Sequence, residues 1–247
     1  MSAMGEIEAP ELPKKVEQPE EIDDAAGEEE PADKVMKIVV VGDGASGKTS
    51  ICQRFAKETF DKSYHQTLGL DFFSRRVILP GEVQVLVQVW DIGGQSIAGE
   101  MIDKYLMGAH IIFLVYDVTN SKSFENAADW MNVIRKNLKD EENPPRIILL
   151  GNKTDLEERR TVPVDTHRNF ATSNGMVPTY ISAKTGDTVY MTFRQAVADV
   201  LSIPLSKAET ESDIDIVQGT VIETAKHESS SRTRSDQGRN SSVCSIS

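Results

Sequence analysis

A glycine-rich segment near residue 45 is the part of the sequence whose chemistry is easiest to recognise. It fits the pattern G-x-x-x-x-G-K-[ST], in which glycines let the backbone curl around a phosphate group with its N–H groups pointing inward. Lys48 is expected to reach the β and γ phosphates of a nucleotide, and the hydroxyl of Thr49 is expected to bind Mg²⁺. The residues predicted to hold the phosphates are Gly42, Asp43, Gly44, Ala45, Ser46, Gly47, Lys48, Thr49 and Ser50. This pattern, called the P-loop below, predicts a nucleoside phosphate without specifying its base.

A second polar segment, residues 152–155, follows an apolar run and has the sequence Asn-Lys-Thr-Asp. The carboxylate of Asp155 can accept hydrogen bonds from both N1–H and the 2-amino group of guanine, whereas adenine has no matching pair of donors. Residues 182–184 follow the next apolar run and are expected to hold the base from the other side, with Phe60 stacked on its ring. The residues predicted around the nucleoside are Asn152, Lys153, Asp155, Ser182, Ala183, Lys184, Phe60 and Tyr64. Together with the P-loop, this segment predicts a guanine nucleotide.

Residues between these two segments are candidates for sensing the γ phosphate. Asp91 is placed to bind Mg²⁺ through a water molecule, and Gly94 can present its backbone N–H to the γ phosphate. Gln95 is the candidate catalytic residue, which would orient the attacking water. Thr67 would complete the ligands of the metal when the triphosphate is bound. The predicted Mg²⁺ ligands are therefore Thr49, Thr67 and Asp91.

The segments that must position these residues alternate between strands and helices. Unbroken apolar runs, typical of parallel strands buried on both faces, predict strands at 38–41, 111–116 and 147–150, and a weaker run predicts a strand at 176–181. Looser alternation around Pro80-Gly81 predicts an antiparallel hairpin of 71–79 and 83–90. Helices are predicted at 48–57, 98–107, 121–138, 163–174 and 187–201. The expected fold is an α/β P-loop NTPase with a six-stranded, mixed but mostly parallel sheet and helices on both faces.

The acidic side chains are concentrated at the N-terminus. Residues 1–33 carry twelve acidic and two basic side chains, whereas residues 34–204 carry twenty of each. Such an acidic segment cannot bury enough apolar surface to fold, so it is predicted to be a disordered tail. A second flexible tail, rich in Ser, Thr, Glu and Arg, is predicted at 205–247.

The composition argues against several classes of protein. No basic stripe is present, so nucleic acid is not expected as a partner. The chain has two cysteines, no signal-peptide pattern at its N-terminus, and a longest apolar run at 111–116 that is too short to span a bilayer. A reducing, cytoplasmic compartment is therefore expected.

The order and spacing of these segments resembles the Ras superfamily and, within it, the Rab family, over residues 36–203. Residues 67–72 (Thr-Leu-Gly-Leu-Asp-Phe) are similar to the first switch of Rab proteins, and residues 89–95 (Val-Trp-Asp-Ile-Gly-Gly-Gln) to the second. The resemblance implies a GTP-hydrolysing switch that recruits effectors to membranes in vesicle or ciliary trafficking. The implied effector-contacting residues are Phe72, Trp90 and Tyr105. For the first two, ordinary packing within short strands is the alternative.

The resemblance also implies how the switch works. GTP and Mg²⁺ would draw Thr67 and Gly94 to the γ phosphate and order residues 61–70 and 93–105, and hydrolysis would release both loops. No arginine in the first switch is placed to act on the phosphates, so unassisted hydrolysis should be slow, on the order of 10⁻⁴ to 10⁻³ s⁻¹ by analogy with Ras. The expected partners are an exchange factor, effectors and a GTPase-activating protein that supplies an arginine.

Two departures from common Rab sequences indicate the divergent Rab subfamily numbered twenty-eight. The usual D-T-A-G-Q-E is replaced by Asp-Ile-Gly-Gly-Gln-Ser at 91–96, and the paired C-terminal cysteines are absent. Similarity to this subfamily implies a role at the base of cilia. Gly93 is expected to loosen the second switch because glycine lacks side-chain restraint. Apolar or small residues at 97–99 replace charged ones, so the partners of ordinary Rabs are not expected to bind.

The last four residues, Cys244-Ser245-Ile246-Ser247, fit the C-a-a-X prenylation box, and a final Ser typically specifies farnesyl. A single isoprenoid on Cys244 supports only reversible membrane attachment, and no second cysteine lies nearby. The expected protein is a monomer that exchanges between the cytoplasmic face of a membrane and a cytosolic pool, carried by a prenyl-binding chaperone. The predicted organisation is an acidic tail at 1–33, a small GTPase domain at 34–204 and a hypervariable tail at 205–247.

Two alternatives from other classes share part of this pattern. A P-loop kinase or ATPase explains Lys48 and Thr49 but leaves Asp155 and its neighbours unexplained. A pseudo-GTPase, which binds nucleotide without hydrolysing it, shares every binding motif, and Gln95 argues against it. Competition of GTP against ATP distinguishes a GTP hydrolase from the first alternative, and single-turnover hydrolysis distinguishes it from the second.

Overall fold

The computed structural model describes residues 34–211 except 64, 99, 100 and 140, and the side chains of 97 and 98 are also outside the description. The predicted acidic tail, Tyr64 and the prenylation box at Cys244 lie outside the described residues. Among the described residues, no helix combines the length and the apolar composition needed to cross a membrane.

Six strands form one sheet in the order β2-β3-β1-β4-β5-β6. They are β1 (Lys34–Gly42), β2 (Leu70–Leu79), β3 (Val83–Ile92), β4 (Ile111–Asp117), β5 (Arg146–Asn152) and β6 (Val177–Tyr180). β2 and β3 are antiparallel, and every other neighbouring pair is parallel. The predicted mixed sheet with one antiparallel edge is therefore confirmed.

The helices are α1 (Lys48–Lys57), α2 (Ile102–Leu106), α3 (Ser121–Glu125), α4 (Ala127–Leu138), α5 (Val164–Ser173) and α6 (Val189–Val200). Short 3₁₀ segments occupy Gly94–Ala98 and Thr154–Arg159. The helix predicted at 121–138 is interrupted at Asn126, whose side-chain amide donates to Asp43 of the P-loop at 2.6 Å. Of the helix predicted at 98–107, α2 covers Ile102–Leu106, and Ala98 belongs to the 3₁₀ segment.

The core lies on both faces of the sheet because the side chains of each strand alternate. In β1, Ile38 and Val40 face α1 and α6, where they pack with Phe55 and Phe193. On the opposite face, Val39 and its neighbours pack against the apolar sides of α2, α4 and α5. Helices therefore cover both faces, as predicted.

This topology brings the polar segments together. Because β1, β4, β5 and β6 are parallel to one another and β3 is parallel to β1, the segments that follow these strands meet at one edge of the sheet. The P-loop follows β1, residues 152–155 follow β5, and residues 182–184 follow β6. Ligands of open α/β sheets bind at this edge.

The described part of the chain continues past the predicted domain boundary at 204. Leu205 packs against the core cluster, and Ser206 exchanges hydrogen bonds with Glu209, which forms an ion pair with Arg194 of α6 at 3.7 Å. Leu205 and Glu209, both in the predicted flexible tail, thus contact the domain.

Candidate functional site

A cleft of about 440 Å³ opens at this edge of the sheet. Its volume is in the range of small-molecule sites. Predicted site residues that line it are Gly44, Ala45, Gly47, Lys48, Thr49, Ser50, Phe60, Thr67, Gly94, Gln95, Asn152, Lys153, Asp155, Ala183 and Lys184. The remaining described ones, Gly42, Asp43, Ser46, Asp91 and Ser182, contact these residues through the hydrogen bonds and close approaches given below.

The P-loop requires glycine at two positions. Gly42 has φ 135°, and a Cβ there would lie 2.1 Å from the carbonyl oxygen of Val115 in β4. Gly47 has φ 93°, and a Cβ there would lie 2.3 Å from the amide nitrogen of Asn152. Both conformations are strained for any other residue. At Gly44, by contrast, a Cβ would meet no described atom within 4 Å.

Lys48 begins α1 and is buried beneath the P-loop. Its Nζ donates to the carbonyl oxygens of Gly42 at 2.9 Å and Asp43 at 2.8 Å. Burial lowers the pKa of Lys48, and the carboxylates of Asp91 and Asp43 oppose that shift. A buried cation whose hydrogen bonds go to neutral carbonyls is well suited to exchange them for a phosphate oxygen, because hydrogen bonds between two charged groups are stronger.

Three oxygen-bearing side chains from separate segments converge beside Lys48. Thr49 Oγ1 donates to Asp91 Oδ2 at 2.5 Å and lies 2.7 Å from Thr67 Oγ1, which is itself 3.4 Å from Asp91 Oδ2. Asp91 is fully buried, burial raises its pKa, and its Oδ1 has no partner within the described part of the chain. Hydroxyl and carboxylate oxygens are the ligands that Mg²⁺ prefers, so this donor set fits the metal predicted from the sequence.

The loop after β3 passes close to both the P-loop and Thr67. A Cβ at Gly94 would lie 2.2 Å from the backbone nitrogen of Gly44, and a Cβ at Gly93 would lie 2.5 Å from the carbonyl oxygen of Thr67. The N–H of Gly93 donates to the carbonyl of Gly69 at 2.9 Å. Gly93 thus allows a close approach between the two predicted switches, which is a steric reason for glycine there beyond the predicted flexibility, and Gly94 allows a close approach to the P-loop. Gln95 is exposed in the cleft wall.

At the other end of the cleft, the polar side chains bind one another. Asp155 Oδ1 accepts from Ser182 Oγ at 2.8 Å, and Asp155 Oδ2 lies 3.3 Å from Lys184 Nζ. Asn152 donates to the carbonyl of Ser46 at 2.8 Å and accepts from the N–H of Ala183 at 3.2 Å. Asn152 therefore joins the P-loop to residues 182–184, and it is 1% exposed.

Sequence analysis missed several side chains that support these residues. Lys153 Nζ donates to Ala45 O at 2.9 Å and forms an ion pair with Asp117 at 2.6 Å. Asp117 ends β4 at the ligand-binding edge, which is a signal that could have identified it. The carboxylate of Asp43 accepts from Asn126 and Trp130 of the helical region, so this side chain points away from the cleft and only its backbone is left for phosphate. No local sequence pattern predicts the contacts of Asp43 with Asn126 and Trp130.

A buried polar cluster lies behind the base end. Tyr116 Oη and His167 Nδ1 are 2.9 Å apart, and the ring of Tyr180 stacks on His167 at 4.4 Å between centroids. Burial lowers the pKa of His167 to about 4, with Arg160 and Arg168 adding to the shift. The rings also pack against Gly151, where a Cβ would lie 2.6 Å from Tyr180. The cluster thus supports the strand that ends in Asn152.

The three aromatic residues predicted to contact effectors differ in exposure. Phe72 is 63% exposed, and its ring meets Trp90 edge-on at 4.6 Å in the β2–β3 ladder. Lys37 Nζ lies 3.7 Å above the ring of Trp90. Trp90 and Tyr105 are half-buried and pack against the core. The alternative of ordinary strand packing therefore does not account for Phe72.

Comparison with known proteins agrees with this arrangement. Residues 37–202 match the Ras family. Over 247 residues the chain is 72% identical to the Ras-related protein Rab-28 of Caenorhabditis elegans, a match that covers 100% of both chains.

Proposed function

The chain belongs to the Ras family as a Rab-like GTP hydrolase, and on that premise we propose that the cleft holds the guanine nucleotide with its phosphates at Lys48 and its base at Asp155. Rab proteins act in membrane trafficking, and Ras-family members use GTP, GDP and Mg²⁺. The observation that carries the assignment is the convergence of Thr49, Thr67 and Asp91 in the cleft that also contains Asp155.

The phosphate end would act mainly through fixed dipoles and one cation. Backbone N–H groups of the P-loop and the N-terminus of α1 offer positive partial charge to the phosphates. Lys48 would exchange the carbonyls of Gly42 and Asp43 for phosphate oxygens. Thr49, Thr67 and Asp91 would hold Mg²⁺, which when bound supplies charge neutralisation at the β and γ phosphates.

Hydrolysis would depend on Gln95 to orient the attacking water. Among the described residues that line the cleft there is no arginine, so slow unassisted turnover and an activating partner that supplies an arginine remain our expectation. Exchange factors, activating proteins, effectors and chaperones are general partners of Rab GTPases. We assign effector contact to Phe72, Trp90 and Tyr105, which the exposure of Phe72 supports.

The base end would read guanine through Asp155, with Ser182 and Lys184 fixing the carboxylate and Phe60 stacking on the ring. The carboxylate accepts from N1–H and the 2-amino group, a donor pair that adenine lacks. Binding should therefore resist competition by ATP.

The metal assignment is tested by nucleotide dissociation with and without Mg²⁺. Wild-type protein should release labelled GTP slowly in Mg²⁺ and rapidly in EDTA. Thr49→Asn should release it rapidly in both, with GTP affected more than GDP. Thr172→Asn, at an exposed position of α5, is the matched control and should behave as wild type. Retention of the full Mg²⁺ effect by Thr49→Asn would reject the assignment.

The C-terminal proposals concern residues outside the described part of the chain. We propose a farnesyl group on Cys244, reversible attachment to the cytoplasmic face of a membrane with a cytosolic pool, carriage by a prenyl-binding chaperone, and a site of action at the ciliary base. The protein would act as a monomer.

Fractionation of cells expressing Cys244→Ser tests the lipid anchor. The variant should be wholly soluble while binding GDP as tightly as wild type, because the tail is remote in sequence from the cleft. Mass spectrometry of membrane-recovered wild-type protein provides the direct measurement. An unmodified Cys244 with residues 245–247 still attached would contradict the proposal.

A further inference from the structure

Arg54 connects two loops that both line the nucleotide cleft. It lies in α1, and its Nε donates to the carbonyl of Ala183 at 2.9 Å while Nη2 donates to the carbonyl of Lys184 at 2.7 Å. Its Nη1 donates to the carbonyl of Glu58, the residue after α1, at 2.8 Å. One half-buried guanidinium therefore bonds three backbone carbonyls from two separate segments.

These two segments lie at the base end of the cleft. Ala183 and Lys184 line it directly, and so does Phe60, two residues after Glu58. The Arg54 guanidinium carbon is 6.0 Å from the centroid of the Phe60 ring. Arg54 itself is not among the residues that line the cleft, so any effect on the nucleotide must pass through the residues it holds.

The bonding pattern requires arginine chemistry. A guanidinium presents five N–H donors in a rigid plane, whereas lysine has one flexible nitrogen. The acceptors are backbone carbonyls, and Glu58 has a left-handed backbone with φ 57°, which is strained for a residue other than glycine. The charge of Arg54 also lies near the C-terminal end of α1, where the helix dipole favours a cation.

We propose that Arg54 is a positioning residue that sets how long bound guanine nucleotide stays in the site, by holding residues 183–184 and the approach to Phe60 in one arrangement. The inference rests on the proposed placement of the base near Asp155. It makes the lifetime of the complex depend on a residue remote from the phosphates.

If Arg54 has this role, its loss should change nucleotide release in a way that can be distinguished from loss of a metal ligand. Arg54→Ala should release GDP and GTP faster than wild type by roughly tenfold, the change expected when charge-assisted hydrogen bonds are lost. The ratio should be the same in Mg²⁺ and in EDTA, because the metal ligands are not among the contacts of Arg54. Single-turnover hydrolysis of GTP already bound should remain at the wild-type rate.

Arg75→Ala is a matched control. Arg75 also holds the end of α1, since it donates to the carbonyl of Phe55 and to the carboxylate of Glu58, both at 2.7 Å, but it has no bond to residues 183–184 among those described. The Arg75→Ala variant should be less stable than wild type but should not release nucleotide comparably faster. Arg54→Lys keeps the charge and the aliphatic stem, and should be intermediate; it carries the test if the alanine variant does not fold.

Wild-type retention of labelled GDP, and its loss in Asp155→Asn, tests the proposed base site by itself. Given that site, wild-type release rates in both Arg54 variants would overturn the role of Arg54. A defect seen in Mg²⁺ but absent in EDTA, an equal defect in Arg75→Ala, or a matching loss of hydrolysis of bound GTP would each also overturn it.

Discussion

The two ends of the cleft differ in how far their polar side chains are already buried and bonded within the protein. At the base end, Asn152 and Ser182 are each 1% exposed, and Asp155 is bonded to Ser182 and paired with Lys184. At the phosphate end, Gln95 is exposed, the neighbouring Leu68 of the first switch is 85% exposed, and one oxygen of Asp91 has no partner within the described residues.

This difference matches what a switch requires. A base end held by protein contacts is preorganised, so little ordering is needed when the nucleoside binds. A phosphate end that keeps exposed groups can take different arrangements with GTP and GDP, because in the proposed site the γ phosphate would supply contacts that the protein alone does not make. On the proposed placement of the nucleotide, selection of the base and response to the γ phosphate would be separated in space, and the predictions below test that separation.

The largest effect is expected from Gln95→Leu, which removes the side-chain amide proposed to orient the attacking water. Hydrolysis stimulated by an activating protein should fall by on the order of 10³-fold or more. Nucleotide release should be unchanged, because the proposed role of Gln95 is to orient water and not to bind the nucleotide. Gly44→Val should have a similar effect on hydrolysis, since a Cβ there meets no described atom within 4 Å and the residue lines the cleft, so the side chain would project into it.

Measurement of phosphate release with the partner present checks this prediction, and Gln84→Leu, at an exposed position of β3, is the control. Equal stimulated rates in wild type and Gln95→Leu would remove Gln95 from the mechanism.

Acid should destabilise the support behind the base end. The pKa of His167 is lowered to about 4 in the folded protein, whereas an unfolded chain has the ordinary value of about 6.5. Between these two pH values the unfolded chain is therefore protonated at His167 and the folded chain is not. The stability that depends on neutral His167 is complete above the unfolded pKa and is lost as pH falls from 6.5 toward 4. The total is about 3 kcal/mol.

Urea denaturation at pH 7 and pH 5 measures this loss. His167→Gln should lose much less stability than wild type over that interval, although it starts from a lower value because it breaks the contact with Tyr116. His65→Gln, at an exposed position, should retain the wild-type slope. If His167→Gln lost as much stability between pH 7 and pH 5 as wild type, another titrating group would be responsible for the loss.

Asp155→Asn should alter base choice without altering hydrolysis of bound nucleotide. Loss of a charge-assisted hydrogen bond costs roughly 1.5 to 3 kcal/mol, or about 10- to 100-fold in GTP affinity. The affinity for xanthosine nucleotides should rise, because their 2-oxo group can accept a hydrogen bond from the amide of the new asparagine. Filter binding with GTP and XTP is the measurement, and Asp165→Asn on the surface is the control. Unaltered GTP affinity would refute the base assignment.

The smallest effect is expected where the two switches meet. In Gly93→Ala the new Cβ would lie 2.5 Å from the carbonyl of Thr67, so the loop must shift and a proposed metal ligand moves with it. A strain of about 1 kcal/mol corresponds to roughly fivefold faster GTP release in Mg²⁺. Release in EDTA serves as the internal control and should match wild type. Faster release in both conditions would instead indicate damage to the base end.

The P-loop and residues 152–155 could be recognised from the sequence because each is a continuous segment whose residue types imply its chemistry. The same holds for the strands, since an unbroken apolar run at 111–116 becomes the fully buried β4. Helix 121–138 was predicted without its interruption, because the bond from Asn126 to Asp43 joins residues 83 positions apart. Gly93 was interpreted through its flexibility, and the tight contact with Thr67 was not foreseen.

By itself, the sequence determined which chemical groups are present: the glycines and lysine of the P-loop pattern, oxygen-bearing side chains that suit Mg²⁺ and a carboxylate that suits guanine, placed after alternating strands. Only the tertiary structure decided how these groups are held, through contacts such as Arg54 with Ala183, Lys153 with Asp117 and Asp43 with Trp130. Those contacts join residues 36 to 129 positions apart. They exist because parallel strands bring distant segments to one edge, and local residue patterns do not record which distant side chains meet there.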